Sequence, residues 1–162
     1  MRKLKAVRAA SRIAVLTLIT GAALSIGASA ALAAVDADLR GAVMTESNAV
    51  GVGAGVLAPM NPHSRWYFNP NVEVGFADRE NLVSMNGDFH YDLNQNRNMA
   101  VWMGGGPAVL VTDRSSGSNS TDVGVNVLTG IGGTRGSVRP FGQLKGVVAD
   151  NSQIVLQGGV RF

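Results

Sequence analysis

QIVLQGGVRF, residues 153–162, closes the chain and decides the fold. Side chains along a β-strand alternate between two faces, so every second residue of this stretch shares a face. One face is apolar as far as the last residue, and the other is mostly polar. Such a strand is typical of a sheet whose apolar face meets lipid and ends on an aromatic residue at the interface. The apolar face carries Ile154, Leu156, Gly158, Val160 and Phe162, and the other carries Gln153, Val155, Gln157, Gly159 and Arg161.

The same alternation recurs upstream in short segments separated by polar turns, and we predict eight strands in all. The clearest example runs from Val83 to Leu93. The segment from Met99 to Thr112 is apolar at both parities, and its proline and glycines suggest a β-bulge. Its outward side chains are predicted to be Val101, Met103, Val109 and Val111.

The N-terminal segment has the three parts of a secretory signal peptide. Residues 2–12 are basic, residues 13–31 are apolar, and Ala31-Leu32-Ala33 forms a small-residue cleavage site. We therefore predict that residues 1–33 are a cleaved signal peptide and that residues 34–162 are the mature domain. An uncleaved membrane anchor is the alternative, because the apolar run is nearly long enough to span a bilayer.

Charge and cysteine content exclude several classes of function. The formal charge of the whole chain is +3, but its first twelve residues hold five of the 14 basic residues and none of the 11 acids. The mature chain is therefore acidic, and a nucleic-acid partner is not expected. The chain has no cysteine, which excludes disulfides, thiolate catalysis and cysteine-based zinc sites.

Three features of the mature chain favour a membrane barrel over a soluble sheet. Segments of about ten residues in even number suit a bilayer that is crossed by tilted strands. The outward aromatic residues Trp66, Phe68 and Tyr91 lie where an aromatic girdle would lie. The chain also ends on Phe162, which has the outward parity.

On these patterns and on the closing GGVRF, the mature chain resembles the small eight-stranded outer-membrane β-barrel proteins of Gram-negative bacteria, the OmpA-like and OmpX-like type. The resemblance implies an all-β fold, an antiparallel up-and-down transmembrane barrel surrounded by the lipid of the bacterial outer membrane. It also implies that Val160 and Phe162 form a C-terminal signal for the outer-membrane assembly machinery. The chain departs from this family in its short connectors, since the family usually has long extracellular loops.

In such a barrel the polar face points into a lumen that eight strands leave just wide enough for side chains. The charged side chains of the predicted strands all share this face and comprise six acids and five bases. We therefore predict a nearly neutral, plugged lumen without an open pore. The predicted interior ion-pair network consists of Arg40, Glu73, Asp88, His90, Asp92, Arg139, Lys145 and Arg161, and the same face carries Asp36, Asp38, Arg65 and Asp122.

Three short motifs have alternative chemical interpretations. Asp88-x-His90-x-Asp92 suits a metal ion, or a base with an orienting partner, as well as ion pairing. His63-Ser64 is similar to the His and Ser of outer-membrane lipid A deacylases, but the spacing differs and no matching Glu is visible. GVGAG at residues 51–55 lacks the lysine and the helix of a phosphate loop, so its glycines are predicted to make room for long inward side chains.

The sequence thus predicts an outer-membrane barrel with a structural or interaction role, without catalysis and without a cofactor. Two alternatives stay open. The barrel could be a narrow channel or small-solute porin. It could instead be a soluble periplasmic barrel whose apolar side faces inward and binds a hydrophobic ligand. The sequence identifies no partner for the surface loops.

Overall fold

The computed structural model contains the eight predicted strands. The predicted signal peptide, residues 1–33, lies outside the described residues. Among the residues that are described, no helix is long and apolar enough to cross a membrane. The structure describes residues 35–78, 80–95, 98–114, 119–150 and 152–162, with only the backbone of Gln95.

The strands form a closed antiparallel barrel in which each strand pairs with its neighbours in the chain. The last strand returns to the first, with Asp38 opposite Arg161 and Met44 opposite Val155. Closure leaves no sheet edge with unpaired backbone groups. The predicted all-β, eight-stranded up-and-down barrel is confirmed. The strands are β1 (Asp36–Met44), β2 (Ala49–Pro59), β3 (Trp66–Phe76), β4 (Glu80–Gln95), β5 (Met99–Arg114), β6 (Asn119–Gly133), β7 (Arg139–Val148) and β8 (Gln153–Arg161).

The two faces of the alternating sequence correspond to the outer wall and the interior of the barrel. Along β1, exposed Leu39 and Val43 alternate with buried Arg40 and Met44. In β5, the side chains predicted to face outward do so, and buried Trp102 and Leu110 between them point inward. The outer wall is therefore apolar on every strand. Its most exposed large side chains include Leu39, Val50, Val52, Met103, Val123, Val127, Leu144, Val148, Ile154 and Leu156.

β1 begins and β8 ends at the same end of the barrel, because the number of strands is even. We call this the terminal end, and the opposite one the distal end. The connectors at the distal end are residues 45–48, 77–79, 115–118 and 149–152, and those at the terminal end are residues 60–65, 96–98 and 134–138. All seven connectors are short, so strands make up most of residues 36–161. Asn48 and Gly136 have positive φ angles of 47° and 90°, which reverse the chain in two of these connectors.

The pairing of β4 with β5 differs from the prediction. The register shifts between Asp92 and Asn94 of β4. The bulge predicted at Pro107 is wrong, because β5 pairs with β6 without interruption through this segment. The glycines of β5 instead allow neighbouring strands to approach closely. A Cβ atom at Gly104 would collide with the backbone of Phe89, so glycine here lets the two strands approach closely.

Candidate functional site

The middle of the lumen holds a buried ion-pair network around Lys145. Its ammonium group lies 2.7 Å from Glu73 Oε1 and 3.4 Å from Asp88 Oδ2. The Lys145 side chain is fully buried, and strands β3, β4 and β7 supply the three groups. A charged lysine in such a place is stable only because two carboxylates face it.

Arg40 of β1 extends this network on its other side. Its Nε atom donates to Asp38 Oδ1 at 2.8 Å, and its guanidinium lies 3.7 Å from Glu73. The long side chain fits because β2 beside it carries glycines. A Cβ at Gly53 would lie 2.8 Å from Glu73 Cγ and 3.1 Å from Arg40 Cγ. The prediction that these glycines make room for long inward side chains is confirmed.

Asparagine amides complete the polar layer and hold Asp88 from two sides. Asn71 Nδ2 donates to Asp88 Oδ2 at 2.9 Å, and Asn126 Nδ2 donates to Asp88 Oδ1 at 2.7 Å. Asn86 links the same amides, since its Nδ2 donates to Asn71 Oδ1 at 3.0 Å. The carboxylate is thus bound by fixed donors and by Lys145, as a buried charge requires.

An apolar layer closes the lumen on the distal side of this network. Met44 is completely buried, and Leu82 and Leu110 are 7% and 4% exposed. These side chains have the same inward parity as the residues of the ion-pair network. The interior is therefore not polar throughout. The apolar layer consists of Ala42, Met44, Ala49, Leu82, Ala108, Leu110, Val147 and Val155.

An aromatic layer lies on the terminal side of the network. Trp102 stacks on His90 with ring centroids 6.0 Å apart. The guanidinium of Arg161 lies over two rings, 4.4 Å from the centroid of Trp102 and 4.7 Å from that of Phe141. Trp102 Nε1 donates to Gln143 Oε1 at 3.1 Å, which connects this layer to the polar one.

Beyond the aromatic layer, a cavity of about 410 Å³ opens at the terminal end. We call it the vestibule. Its lining combines rings with charged groups, among them Tyr67, His90, Asp92, Trp102, Arg139 and Arg161.

The structure divides the eight residues of the predicted ion-pair network into two groups. Arg40, Glu73, Asp88 and Lys145 come together in the polar layer. The other four lie towards the terminal end: Arg139 pairs with Asp36, His90 and Arg161 contact aromatic rings, and Asp92 lines the vestibule.

Two charged residues that share the inward parity are not enclosed. Arg65, expected inside, is exposed in the connector before β3. Asp122 is half-buried in the part of β6 that extends past its pairing with β7. The parity of each residue predicts which way its side chain points. Its height along the barrel decides whether the side chain is enclosed.

The motifs with alternative chemical interpretations make structural contacts. Asp88 belongs to the polar layer, while His90 stacks on Trp102. No cluster of three metal-binding side chains occurs among the described residues. In the connector 60–65, the Ser64 hydroxyl accepts a hydrogen bond from the Trp66 amide at 2.9 Å, which is a turn contact.

The predicted girdle residues lie on adjacent strands near the terminal end. Trp66 and Tyr91 face each other across β3 and β4 with ring centroids 5.0 Å apart, and Phe68 pairs with Phe89 at the same distance. Val160 lies opposite Leu39. Phe162 is half exposed, and its amide donates to the Ala37 carbonyl at 2.9 Å.

Sequence reasoning missed the aromatic and apolar layers. Phe141 shares its parity with Arg139 and Lys145, so its inward direction could have been found. Trp102 has the parity opposite to Val101, which was predicted to face outward. The alternation of the sequence thus carries the signal for both layers.

Comparison with solved structures supports the observed fold. No protein-family model matches the chain, and no curated protein is similar in sequence. The crystal structure of Neisserial surface protein A matches with a TM-score of 0.61 and 19% identity, over 78% of this chain and 94% of that chain. The structure of Ail, the attachment invasion locus protein of Yersinia pestis, matches with a TM-score of 0.50 and 10% identity, over 79% of this chain and 96% of that chain. The chain has the fold of the small eight-stranded outer-membrane barrels.

Proposed function

We propose that this protein is an outer-membrane barrel of a Gram-negative bacterium with a structural or interaction role and no catalytic activity. The observation that carries the proposal is the distribution of polarity in the closed barrel. Large apolar side chains cover the outer wall, while Lys145, Glu73 and Asp88 are buried inside. In water this arrangement would expose apolar surface and bury charge, whereas in a bilayer the apolar wall meets hydrocarbon and the charges are kept away from it.

The same distribution argues against a soluble periplasmic barrel that binds a hydrophobic ligand. That alternative requires an apolar cavity, but the middle of this lumen is filled by ion pairs and asparagine amides. The channel alternative is also weakened. The vestibule opens at the terminal end only, and the polar and apolar layers fill the lumen beyond it.

An interaction role is supported by the names of two similar structures, a surface protein and an attachment invasion locus protein. In this chain the distal connectors have at most four residues, so a partner would not find a long loop to bind. We propose that contacts form through the rigid distal ends of β4, β5 and β6. These are the longest strands, with 16, 16 and 15 residues, where about 9–11 suffice to cross a bilayer.

Assembly would use the C-terminal strand. We propose that Val160 and Phe162, which face outward at the terminal end, are the signal for the outer-membrane assembly machinery. Trp66, Phe68 and Tyr91 would then mark the interface on the same side of the membrane. Their amphipathic or apolar rings suit the boundary between hydrocarbon and headgroups.

Membrane fractionation with heat-modifiability on a gel tests this proposal. The full chain is expressed in a Gram-negative host, and boiled and unboiled membrane samples are compared. We expect recovery in the outer membrane and a shift in mobility on boiling, because a closed barrel resists detergent until it is heated. Recovery in the soluble periplasm without a shift would overturn the proposal.

A further inference from the structure

We propose that the vestibule is a binding site for a small organic anion, with its acidic group held by Arg161. The site goes beyond a structural or interaction role. It is carried by three observations: a guanidinium without an ion pair, buried nitrogen atoms without acceptors in residues of the lining, and the charge of the connectors around the mouth.

Arg161 is buried but has no ion pair among the described residues. Its side chain is 8% exposed, and its guanidinium lies over the rings of Trp102 and Phe141. The faces of the two rings stabilise the cation, and the edge of the planar guanidinium stays available for hydrogen bonds. A carboxylate or phosphate group matches this edge with two parallel hydrogen bonds.

Three buried nitrogen atoms of the lining have no hydrogen-bond partner among the described residues. They are Nε of Arg161, Nε of Arg139 and Nε2 of His90. Both guanidinium atoms are obligate donors, and the imidazole nitrogen can donate as well. Buried donors normally have acceptors. The vestibule is thus bordered by residues whose buried nitrogen atoms lack acceptors.

The carboxylates of the lining do not fill this role. Asp36 is already paired with Arg139. Asp92 has contacts of its own. Asp36, Asp38 and Asp92 act on the charge of Arg161 from a distance, but none of them forms an ion pair with it. An incoming anion would therefore supply a direct partner for this guanidinium.

The mouth of the vestibule is surrounded by basic sequence. Among the described residues, the terminal-end connectors contain Arg65 and Arg135 and no acid, whereas the distal connectors contain Glu46, Asp78 and Asp150. The two aspartates and two arginines of the lining balance each other, so the connectors give this end its positive excess. A cleft with charges of one sign around it concentrates small ions of the opposite sign. The terminal end therefore attracts anions.

Size and lining define the class of ligand further. A volume of about 410 Å³ accepts a molecule larger than a single inorganic ion. Tyr67, Trp102 and Leu57 offer apolar surface beside the cationic group. The fitting ligand has one acidic group and a compact apolar or aromatic body.

Tryptophan fluorescence of the folded protein in a neutral detergent tests this proposal. The chain has two tryptophans, so Trp66→Phe leaves Trp102 as the reporter inside the vestibule. Benzoate and phenyl phosphate are titrated, with benzyl alcohol and benzylammonium as neutral and cationic ligands of similar shape. We expect saturable changes with the anions only. The stronger of the two anions identifies the preferred acidic group.

Arg161→Gln on the Trp66→Phe background should weaken anion binding by about tenfold or more, since a charged hydrogen-bond donor is lost. Arg114→Gln makes the same change at an exposed distal position and should leave binding unchanged. Heat-modifiability shows that each variant is folded. If Arg161→Gln does not fold, calorimetric titration of the Trp66→Phe protein decides by charge selectivity alone. Equal binding of benzoate and benzyl alcohol, or no saturable binding of either anion, would overturn the proposal.

Discussion

At the scale of single residues, stability depends on whether each buried charge keeps its partners. Lys145 is the critical case, because it is fully buried and faces both Glu73 and Asp88. The net value of a buried ion pair is small, since both charges lose their hydration. The loss of one member is different, because the remaining charges stay in the interior without compensation.

We therefore predict that Lys145→Met lowers the free energy of unfolding by about 3–5 kcal/mol. The measurement is a urea titration of the protein folded into lipid vesicles, with the folded fraction read from unboiled gel mobility. Arg114→Met is the control, because Arg114 and Glu80 form an exposed ion pair with a distance of 3.2 Å. Its effect should stay within about 1 kcal/mol. Equal stability of Lys145→Met and the unchanged protein would contradict the network.

A second prediction concerns the space that glycine leaves for Trp102. A Cβ at Gly130 would lie 2.5 Å from the Trp102 ring, which is buried and held by Gln143. Gly130→Ala should therefore lower the free energy of unfolding by roughly 1–3 kcal/mol. Gly146 faces outward, and a Cβ there would meet its nearest atom at 3.9 Å. Gly146→Ala should be nearly neutral in the same urea titration, and an equal loss in both variants would show that the ring position is not the cause.

At the scale of strands, the outer wall must match the bilayer along its whole height. Leu144 lies in the middle of β7 and is 47% exposed, whereas Val148 ends this strand and is 63% exposed. An arginine near the bilayer midplane costs about 2–4 kcal/mol, and near the interface about 0–1 kcal/mol.

We predict that Leu144→Arg strongly reduces folding into vesicles while Val148→Arg is tolerated. The folded yield and the urea midpoint of the two variants give the comparison. In water both positions would accept arginine equally well, so similar behaviour of the two variants would count against a lipid-facing wall.

The C-terminal strand has a further role that stability alone does not measure. Phe162 and Phe76 are equally exposed, at 50% and 51%, but only Phe162 belongs to the proposed assembly signal. We predict that Phe162→Ala lowers the amount of folded protein in the outer membrane several-fold in cells, while Phe76→Ala does not. If both variants fold equally well into vesicles but also reach the membrane equally in cells, Phe162 is not part of a signal.

The strands also show how far the sequence predicts the structure. Period-two alternation gave the number of strands and the direction of the side chains, because register in a barrel is fixed by which face is polar. It did not give the partners of each charge. Arg40 and Glu73 are far apart in sequence, and their contact depends on the stagger of strands around the barrel.

For the same reason the vestibule was not predictable. Parity assigns Trp102 and Arg161 to the interior, but only the register of β5 and β8 brings the guanidinium over the ring. The exposed position of Arg65 follows from its height at the end of the barrel, which alternation does not encode.

At the scale of the whole molecule, three layers lie in series along the lumen. The aromatic layer borders the vestibule, the ion-pair network fills the middle, and the apolar layer closes the distal side. An ion that passed would have to cross all three. In the polar layer, direct hydrogen bonds of 2.6 and 2.9 Å join Gln157 to Glu73 and Gln143 to Gln157.

We therefore predict no steady ion conductance when the folded protein is inserted into planar bilayers. Truncation of one layer should not change this result, because the other two remain in place: Met44→Ala opens the apolar layer but leaves Lys145 and its carboxylates behind it. Recovery of heat-modifiable protein from the same lipid shows that the absence of conductance is not a failure of insertion. Regular unit conductance from the unchanged protein would mean that the layers move apart in the membrane, and the narrow-channel function would then replace the structural one.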